Sequence, residues 1–274
     1  MKLVSFSVGD GPVRPGALQD DGSVIELAAL FKDALAVIGA GLKRNPNGPH
    51  YAAGSFRLHA PLQNPPRIFA IGLNYRDHAI ESKLPIPTTP VVFFKMTTAI
   101  VGPGQPIVLP KNSNEPDYEA EFAFVIGKGG YRIPASAWQE HVCGYTIVND
   151  VSARDVQAAS SQWSLAKSFP TFCPLGPVIV TADEIADPHA LAIGLSIDGE
   201  VMQDSTTKEL IFGIPALIEY ISSITPLLPG DIVSTGTPPG VGLGRTPKRW
   251  LKPGETVKVT VEGIGELVNP VVAE

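Results

Sequence analysis

The sequence predicts an α+β protein that is rich in β-strands, and the placement of its glycines and prolines is the first reason. Its 274 residues include 27 glycines and 27 prolines, most of them between short runs of Val, Ile and Phe. That pattern is typical of many short strands joined by turns and loops. The clearest helical spacing of apolar residues covers only residues 206–223. Hydrophobic residues make up 44% and charged residues 18%, as in globular proteins with a buried core.

The overall composition excludes several classes of protein. The net charge is −6 and no basic cluster occurs, which argues against nucleic acid or an anionic membrane as a partner. No stretch approaches the ~20 apolar residues that span a bilayer, and the N-terminus is too polar for a signal peptide. Cys143 and Cys173 lack CxxC spacing and lie among apolar residues, which predicts free buried thiols. We therefore expect a cytoplasmic location.

The chain divides into two predicted units. Residues 1–62 contain short strands and a segment of helical spacing, residues 27–39, and form a small N-terminal domain. The proline-rich stretch 60–66 reads as a stiff linker. Residues 67–274 then form the larger domain, which carries the candidate functional residues.

Carboxylates alternate where the chain enters an apolar strand. Asp117, Glu119 and Glu121 lead into the apolar residues 122–126, and alternation along a strand puts all three on one face. Unpaired carboxylates are costly in a protein interior, so a hard cation such as Mg²⁺, Mn²⁺ or Ca²⁺ would resolve their repulsion. Asp150 ends a later apolar strand and can complete such a shell, or it can form an Asx turn. The alternative for the whole set is a solvated edge strand.

A histidine and a glutamate lie three residues apart after another buried strand. If Asp77 begins a short helix, His78 and Glu81 share one face and can touch. A carboxylate that fixes the tautomer of an imidazole is the arrangement of a general base. A surface ion pair is the alternative. Residues 84–90 are rich in proline and end the helix, so that the segment can act as a lid.

Four more polar residues are candidates for contact with a ligand. Arg154 and Gln157 fall at i and i+3 of a predicted helix over residues 152–161. Lys167 lies among apolar neighbours, either as a surface cation or as a buried one facing an anionic substrate. Thr237 lies in a Gly/Pro loop that can expose its hydroxyl and backbone N–H groups. No helix follows the glycines of that loop, which argues against a nucleotide-binding loop.

Together these motifs resemble the fumarylacetoacetate hydrolase superfamily. The matching stretches occur in the family's order, and they are residues 72–78 (GLNYRDH), 117–121 (DYEAE), 144–150 (GYTIVND), 152–157 (SARDVQ), 165–168 (LAKS), 229–242 and 263–265 (GIG). The resemblance covers about residues 67–270. It implies a mixed β-roll or barrel behind a variable N-terminal domain, assembled as a homodimer.

The resemblance also implies the roles of the candidate residues. The implied ligands of Mg²⁺ or Mn²⁺, with Ca²⁺ as a substitute in crystals, are Glu119, Glu121 and Asp150. The implied catalytic residues are His78, Glu81 and Lys167. The implied substrate-binding residues are Arg154, Gln157, Thr237 and Tyr75. Asp117 is then a neighbour of the metal shell.

The implied activity is hydrolysis of a carbon–carbon bond in a small β-diketo acid of the acylpyruvate or fumarylpyruvate type. Residues 73–75 offer no carboxylate where branches acting on fumarylacetoacetate have a fourth ligand, which resembles the acylpyruvase-like branch. Pro170 stands where many relatives have Asp, so the resemblance does not define the loop after Lys167 or the substrate pocket. The alternatives are decarboxylation or isomerisation of oxaloacetate or a related 2-oxo acid, and dehydration or hydrolysis of a keto-deoxy sugar acid. A silent metal-dependent binding protein and a zinc hydrolase are rivals from other classes.

Overall fold

The computed structural model describes residues 1–81 and 85–274 of the chain. The strands of the first part are β1 (Lys2–Ser7), β2 (Arg14–Leu18), β3 (Val24–Glu26), β4 (His50–Tyr51), β5 (Arg57–His59), β6 (Ile68–Gly72), β7 (Val91–Lys95), β8 (Ile100–Val101) and β9 (Ile107–Leu109). The later strands are β10 (Pro116–Asp117), β11 (Ala120–Ile126), β12 (Val142–Asn149), β13 (Ser152–Ala153), β14 (Cys173–Thr181), β15 (Ala192–Ile197), β16 (Glu200–Thr206), β17 (Ile232–Ser234), β18 (Thr256–Val261) and β19 (Gly265–Ala273). The α-helices are α1 (Ala34–Gly39), α2 (Arg76–Glu81), α3 (Trp138–His141), α4 (Arg154–Ala158) and α5 (Ile214–Ile224).

Two mixed sheets dominate the structure. The larger sheet has the strand order β4-β3-β2-β1-β14-β12-β11-β17-β6-β7, with β5 on β1 and β8 on β14. Most of its pairs are antiparallel, but β17 and β6 run parallel. The smaller sheet has the order β16-β15-β18-β19-β9, and its β19–β9 pair is parallel. The prediction of an α+β fold rich in mixed β-structure is confirmed.

The central strand β11 is buried on both faces, which explains its unbroken apolar sequence. Phe122 and Phe124 belong to the larger core cluster, which includes Leu195 and Val259 of the smaller sheet. Val125, on the opposite face, belongs to a second cluster that includes residues of α1. The chain therefore carries Glu121 into the interior between two apolar layers.

Four predicted elements begin or end elsewhere. The helix predicted over residues 152–161 covers only Arg154–Ala158, because Ser152 and Ala153 form β13 and pair with β10. The helix predicted over residues 27–39 begins only at Ala34, because Asp33 caps it by accepting the N–H of Ala36 at 2.8 Å. The helix predicted over residues 206–223 begins at Ile214, because Pro215 lies in the first turn, where its missing N–H is tolerated. The acidic strand is interrupted, since β10 ends at Asp117 and β11 begins at Ala120.

The N-terminal unit extends the larger sheet. Strand β1 pairs antiparallel with β14, with Leu3 opposite Ile179. The division into domains of residues 1–62 and 67–274 stays a prediction. The predicted end of the helix after Glu81 falls partly on residues 82–84, outside the described residues.

Candidate functional site

Three buried carboxylates meet where β11 begins and β12 ends. These strands are antiparallel with Glu121 opposite Val148, so the start of one lies beside the end of the other. The N–H of Asp150 donates to the carbonyl of Glu119 at 2.9 Å, which holds the two segments together. One oxygen from each of Glu119, Glu121 and Asp150 lies within 4.8 Å of the others, and all three residues are buried. We call this set the acidic cluster.

Three buried cations contact the acidic cluster. Lys167 donates to Glu119 at 2.7 Å and to Asp150 at 2.6 Å. Lys95 donates to the other oxygen of Asp150 at 2.6 Å and to the carbonyl of Lys167. Arg154 donates to the other oxygen of Glu119 at 2.6 Å. Both oxygens of Glu119 and of Asp150 therefore have a charged donor.

The protonation states follow from this arrangement. Burial alone would raise the pKa of Glu119, but Lys167 and Arg154 outweigh it and lower that pKa to about 2. Burial also works against the Lys167 ammonium, yet Asp150 and Glu119 raise its pKa above the ordinary value. Glu121 differs, because burial together with the charges of Asp150 and Glu119 raises its pKa well above the usual range.

Glu121 is the member of the acidic cluster that lacks a cation. One of its oxygens accepts from the hydroxyl of Ser234 and from the N–H of Gly236, and no described side chain forms an ion pair with it. The three ligands are all oxygens, which suits a hard divalent ion and not zinc. The acidic cluster can therefore hold a divalent metal, which would offset the charge of an ionised Glu121.

A cavity of about 410 Å³ opens onto the acidic cluster. Its polar wall is formed by Glu119, Glu121, Arg154, Gln157, Lys167, His78 and Thr237. Its apolar wall is formed by Ile71, Gly72, Leu73, Phe93, Trp163, Val241 and Leu243. A cavity with one charged end and one apolar wall accommodates a small organic anion.

His78 and Glu81 form a hydrogen-bonded pair at this cavity. Both lie on α2, and Nδ1 of His78 is 3.0 Å from Oε2 of Glu81. The other oxygen of Glu81 accepts the N–H of Gly240 at 3.0 Å, which orients the carboxylate. Gly240 has φ +99°, and a Cβ there would lie 2.1 Å from the carbonyl oxygen of Met202. The side chains of His78 and Glu81 are 15% and 26% exposed, so water reaches the pair.

The structure brings together most of the predicted site residues. Arg154, Gln157, Lys167 and Thr237 line the cavity with His78. Tyr75 does not line it among the described residues: its side chain is fully buried and its hydroxyl has no partner there. The roles of all these residues stay predictions.

Asp117 has a structural role, binding a loop and Arg154, which the alternation of carboxylates along the strand did not indicate. One of its oxygens accepts the N–H of Gly242 at 2.7 Å. The other accepts the N–H of Leu243 at 3.0 Å and Nε of Arg154 at 2.8 Å. Asp117 thus joins the loop that holds Glu81 to the arginine that holds Glu119.

The sequence reading missed Lys95 and Ser234. Lys95 shares one face of β7 with the buried Phe93, so a lysine at an inward position was the available signal. Ser234 ends β17, which pairs with β11 through Ala123. Its contact with Glu121 depends on that pairing, and no local pattern announces it.

Comparison with known proteins identifies the family of the chain. The family model described as "Fumarylacetoacetate (FAA) hydrolase C-terminal" matches residues 67–272. The chain belongs to the fumarylacetoacetate hydrolase family. The matched region begins at residue 67, the predicted start of the larger domain. It includes the acidic cluster, the His78–Glu81 pair and Lys167.

Individual family members show what the chain resembles. It is 42% identical over 290 residues to a Xenopus laevis protein named oxaloacetate tautomerase fahd2, mitochondrial, covering 99% of this chain and 90% of that protein. A 5-carboxymethyl-2-hydroxymuconate delta-isomerase structure from Mycobacterium smegmatis is 38% identical with a TM-score of 0.84, covering 100% of both chains. A maleylpyruvate hydrolase from Sphingobium sp. SYK-6, solved with manganese(II) and pyruvate, is 28% identical with a TM-score of 0.83, covering 100% of this chain and 99% of that one.

Other expectations have a mixed outcome. No described helix is both long and apolar enough to cross a membrane. The two cysteines are free as expected, but only Cys173 is fully buried, whereas Cys143 is partly exposed. Burial raises the pKa of each thiol to about 12. The Xenopus relative is named as mitochondrial, so the cytoplasmic location stays a prediction for this chain. The homodimer also stays a prediction.

Proposed function

We propose that the protein interconverts the keto and enol forms of oxaloacetate or a closely related 2-oxo acid, with Mg²⁺ or Mn²⁺ as its cofactor. The acidic cluster, which faces a small cavity beside the His78–Glu81 pair, is the observation that carries the proposal. The whole-length similarity to an oxaloacetate tautomerase favours this reaction over hydrolysis, which the sequence alone put first. Glu119, Glu121 and Asp150 would hold the metal. A bound divalent cation supplies a Lewis acid that polarises the 2-oxo group.

The reaction moves one proton between carbon and oxygen. In the direction of the enol, C3 loses a proton and the electron pair of that C–H bond becomes the C2=C3 bond. The C2=O pair moves to oxygen, which takes up a proton. His78 is the imidazole base available at the cavity, and Glu81 holds its Nδ1 so that Nε2 is free to carry the proton.

Lys167 supplies positive charge where negative charge develops. Its ammonium is buried against Glu119 and Asp150, which raise its pKa and keep it protonated. A fixed cation in a site of low dielectric constant stabilises an enolate oxygen more than it would in water. Gln157 and Thr237 would bind a carboxylate of the substrate. Arg154, the remaining polar residue of the cavity wall, would orient Gln157 and Glu119 through its hydrogen bonds to them.

Hydrolysis of a β-diketo acid is the second candidate. The pair His78–Glu81 favours it, because an oriented imidazole can also deprotonate an attacking water, and the Sphingobium structure is a maleylpyruvate hydrolase. The same site could serve both reactions. They differ in whether His78 takes a proton from C3 of the substrate or from an attacking water.

Product analysis separates the candidates. We expect the Mn²⁺-loaded protein to accelerate the loss of the oxaloacetate enol absorbance without releasing pyruvate. His78→Ala should slow this reaction by ~10²–10⁴-fold while the circular dichroism spectrum stays unchanged. Release of pyruvate from acylpyruvates, with a kcat/KM above that for oxaloacetate tautomerisation, would instead establish a hydrolase. Pyruvate release from oxaloacetate would establish the decarboxylase.

A further inference from the structure

Gln203 is a buried side chain whose hydrogen bonds allow only one orientation of its amide. It lies on β16, in the smaller sheet, and is 1% exposed. Its Oε1 accepts the backbone N–H of Ala120 at 2.9 Å, and its Nε2 donates to the carbonyl of Pro238 at 2.8 Å. A backbone N–H can only donate and a carbonyl can only accept. The oxygen and the nitrogen of this amide therefore cannot exchange places.

The fixed amide determines what the hydroxyl of Thr237 can do. The second N–H of Gln203 donates to Oγ1 of Thr237 at 2.8 Å. Because that bond occupies the oxygen as an acceptor, the Thr237 hydroxyl hydrogen is left to point elsewhere. Thr237 is 6% exposed and lines the cavity. Its hydroxyl can therefore donate to a ligand in the cavity.

The side-chain amide of Gln157 also has only one possible orientation, and it too directs a donor at the cavity. Its Oε1 accepts from Nη1 of Arg154 at 2.9 Å, and a guanidinium can only donate. The amide nitrogen of Gln157, which also lines the cavity, keeps its N–H groups for a ligand. Thr237 and Gln157 thus present hydrogen-bond donors to the cavity. Each is held in that role by a partner that can only donate to it, Gln203 for Thr237 and Arg154 for Gln157.

We propose that Gln203 is a positioning residue that fixes Thr237 as a hydrogen-bond donor, and that the cavity selects a ligand group that can only accept, namely a carboxylate. The inference rests on the proposed function for the identity of the substrate but not for its charge. An amide in place of that carboxylate has only one accepting oxygen, so its N–H groups would face either Thr237 or Gln157. The site would reject it because one donor would stay unpaired.

A double-mutant cycle tests the coupling between the two residues. The probe is oxalate, an acceptor-only dianion, and its Kd for the Mn²⁺-loaded protein is measured by calorimetry beside the KM for oxaloacetate. T237V removes the donor and should weaken oxalate binding by roughly 10- to 100-fold, as expected for a hydrogen bond to a charged group. Q203M frees the hydroxyl to rotate and should weaken binding less, while T237S should retain the wild-type Kd.

The cycle has an outcome that a merely structural role would not give. If Gln203 acts through Thr237, Q203M/T237V binds oxalate as weakly as T237V alone, and the losses do not multiply. If Q203M does not fold, Q203E replaces it, since it keeps an acceptor for the N–H of Ala120 and, when ionised, accepts a hydrogen bond from the Thr237 hydroxyl. D204N, an exposed neighbour on β16, serves as the control and should leave the Kd unchanged.

Two results would overturn the inference: multiplied losses in the double variant, or no binding of oxalate to the wild-type protein. Failure of the proposed function looks different. In that case oxaloacetate is not turned over, yet oxalate binding still follows the non-additive pattern.

Discussion

At the scale of single residues, the site is a balance of buried charges. Lys95, Arg154 and Lys167 offset Asp117, Glu119 and Asp150 through hydrogen bonds of 2.6 to 2.8 Å. Removing one member of a buried pair leaves its partner charged and unsolvated, which costs more than the pair itself contributes. The charges are thus necessary to one another, whatever their net effect on stability.

Replacement of Lys95 tests this balance. Its side chain is fully buried, so Lys95→Met should lower the free energy of unfolding of the metal-free protein by ~3–5 kcal/mol. Urea denaturation followed by fluorescence measures the loss. Saturating Mn²⁺ should restore part of it, because the cation would take over the contact with Asp150.

Lys128→Met is the matched control. Lys128 pairs with Glu140 at 3.0 Å, but both side chains are more than half exposed, and such pairs contribute ~0–1 kcal/mol. Equal small losses in the two variants would contradict a charge balance centred on Asp150.

The sequence predicts the acidic residues of the site better than their partners. Glu119, Glu121 and Asp150 are marked by carboxylates beside apolar strands, a combination that is costly without a cation. Ser234 and Gln203 are ordinary polar residues whose importance arises from tertiary contacts across two sheets. Tyr75 lies within a recognisable motif, yet it packs into the core instead of lining the cavity.

At the scale of elements, one loop holds the two halves of the site together. Residues 240–244 bind Glu81 through the N–H of Gly240 and bind Asp117 through the N–H groups of Gly242 and Leu243. Asp117 also accepts its own neighbour's N–H at Tyr118 and Nε of Arg154, which uses the four acceptor positions of a carboxylate.

Asp117→Asn should loosen this loop. The amide NH2 of the asparagine would replace one of the two oxygens and face N–H groups, which cannot accept. The hydrogen bond from either Gly242 or Leu243 is therefore lost. We expect a loss of ~1–3 kcal/mol and faster hydrogen exchange at Gly242 and Leu243. Mass-spectrometric exchange measures this directly.

Asp198→Asn is the control, since Asp198 accepts a single exposed bond from Thr256 and lies outside the site. Unchanged exchange over residues 240–244 in Asp117→Asn would show that Asp117 does not organise the loop.

Local patterns predict strands better than helices in this chain. The run of Val and Phe over Val91–Lys95 forms β7, and the turn signal Asp198-Gly199 joins β15 and β16 in a hairpin. The helix predicted over residues 206–223 was too long at its start, because Thr206 pairs with β15 and the N–H groups of Ile211 and Phe212 donate to Asn74 instead of to a helical turn. Long-range hydrogen bonding decides such boundaries, and it is invisible in a local window.

At the scale of the whole molecule, the fold makes metal binding and proton binding compete. Burial between two sheets raises the pKa of Glu121 above its ordinary value of 4.5. As pH rises above that value, the unfolded chain loses this proton before the folded one, so stability of the metal-free protein falls. Glu119 acts oppositely, but its pKa is about 2, so its contribution is complete above pH 4.5.

Metal affinity should therefore rise with pH. A bound cation requires Glu121 to be ionised, so Mn²⁺ displaces its proton wherever the carboxyl is still protonated. We expect the Kd for Mn²⁺ to fall by up to about tenfold per pH unit as pH rises above 4.5, for as long as Glu121 stays protonated in the metal-free protein, with proton release visible by calorimetry in buffers of different ionisation enthalpy.

Glu121→Gln removes the titrating group. This variant should bind Mn²⁺ more weakly and with a flatter dependence on pH. A pH dependence as steep as that of the wild type would assign the released proton to another group.

The central claim is that the acidic cluster holds a metal ion that the keto–enol reaction needs. The most direct measurement is the rate of oxaloacetate enol loss after exhaustive chelation, with residual metal determined by elemental analysis, followed by titration with Mn²⁺. Blanks contain the same Mn²⁺ without protein, because free cations polarise the same oxygen. We predict no protein-dependent rate in the chelated sample and a saturable return as Mn²⁺ is added. A chelated, metal-free protein that still accelerates the reaction at the full rate would contradict the claim.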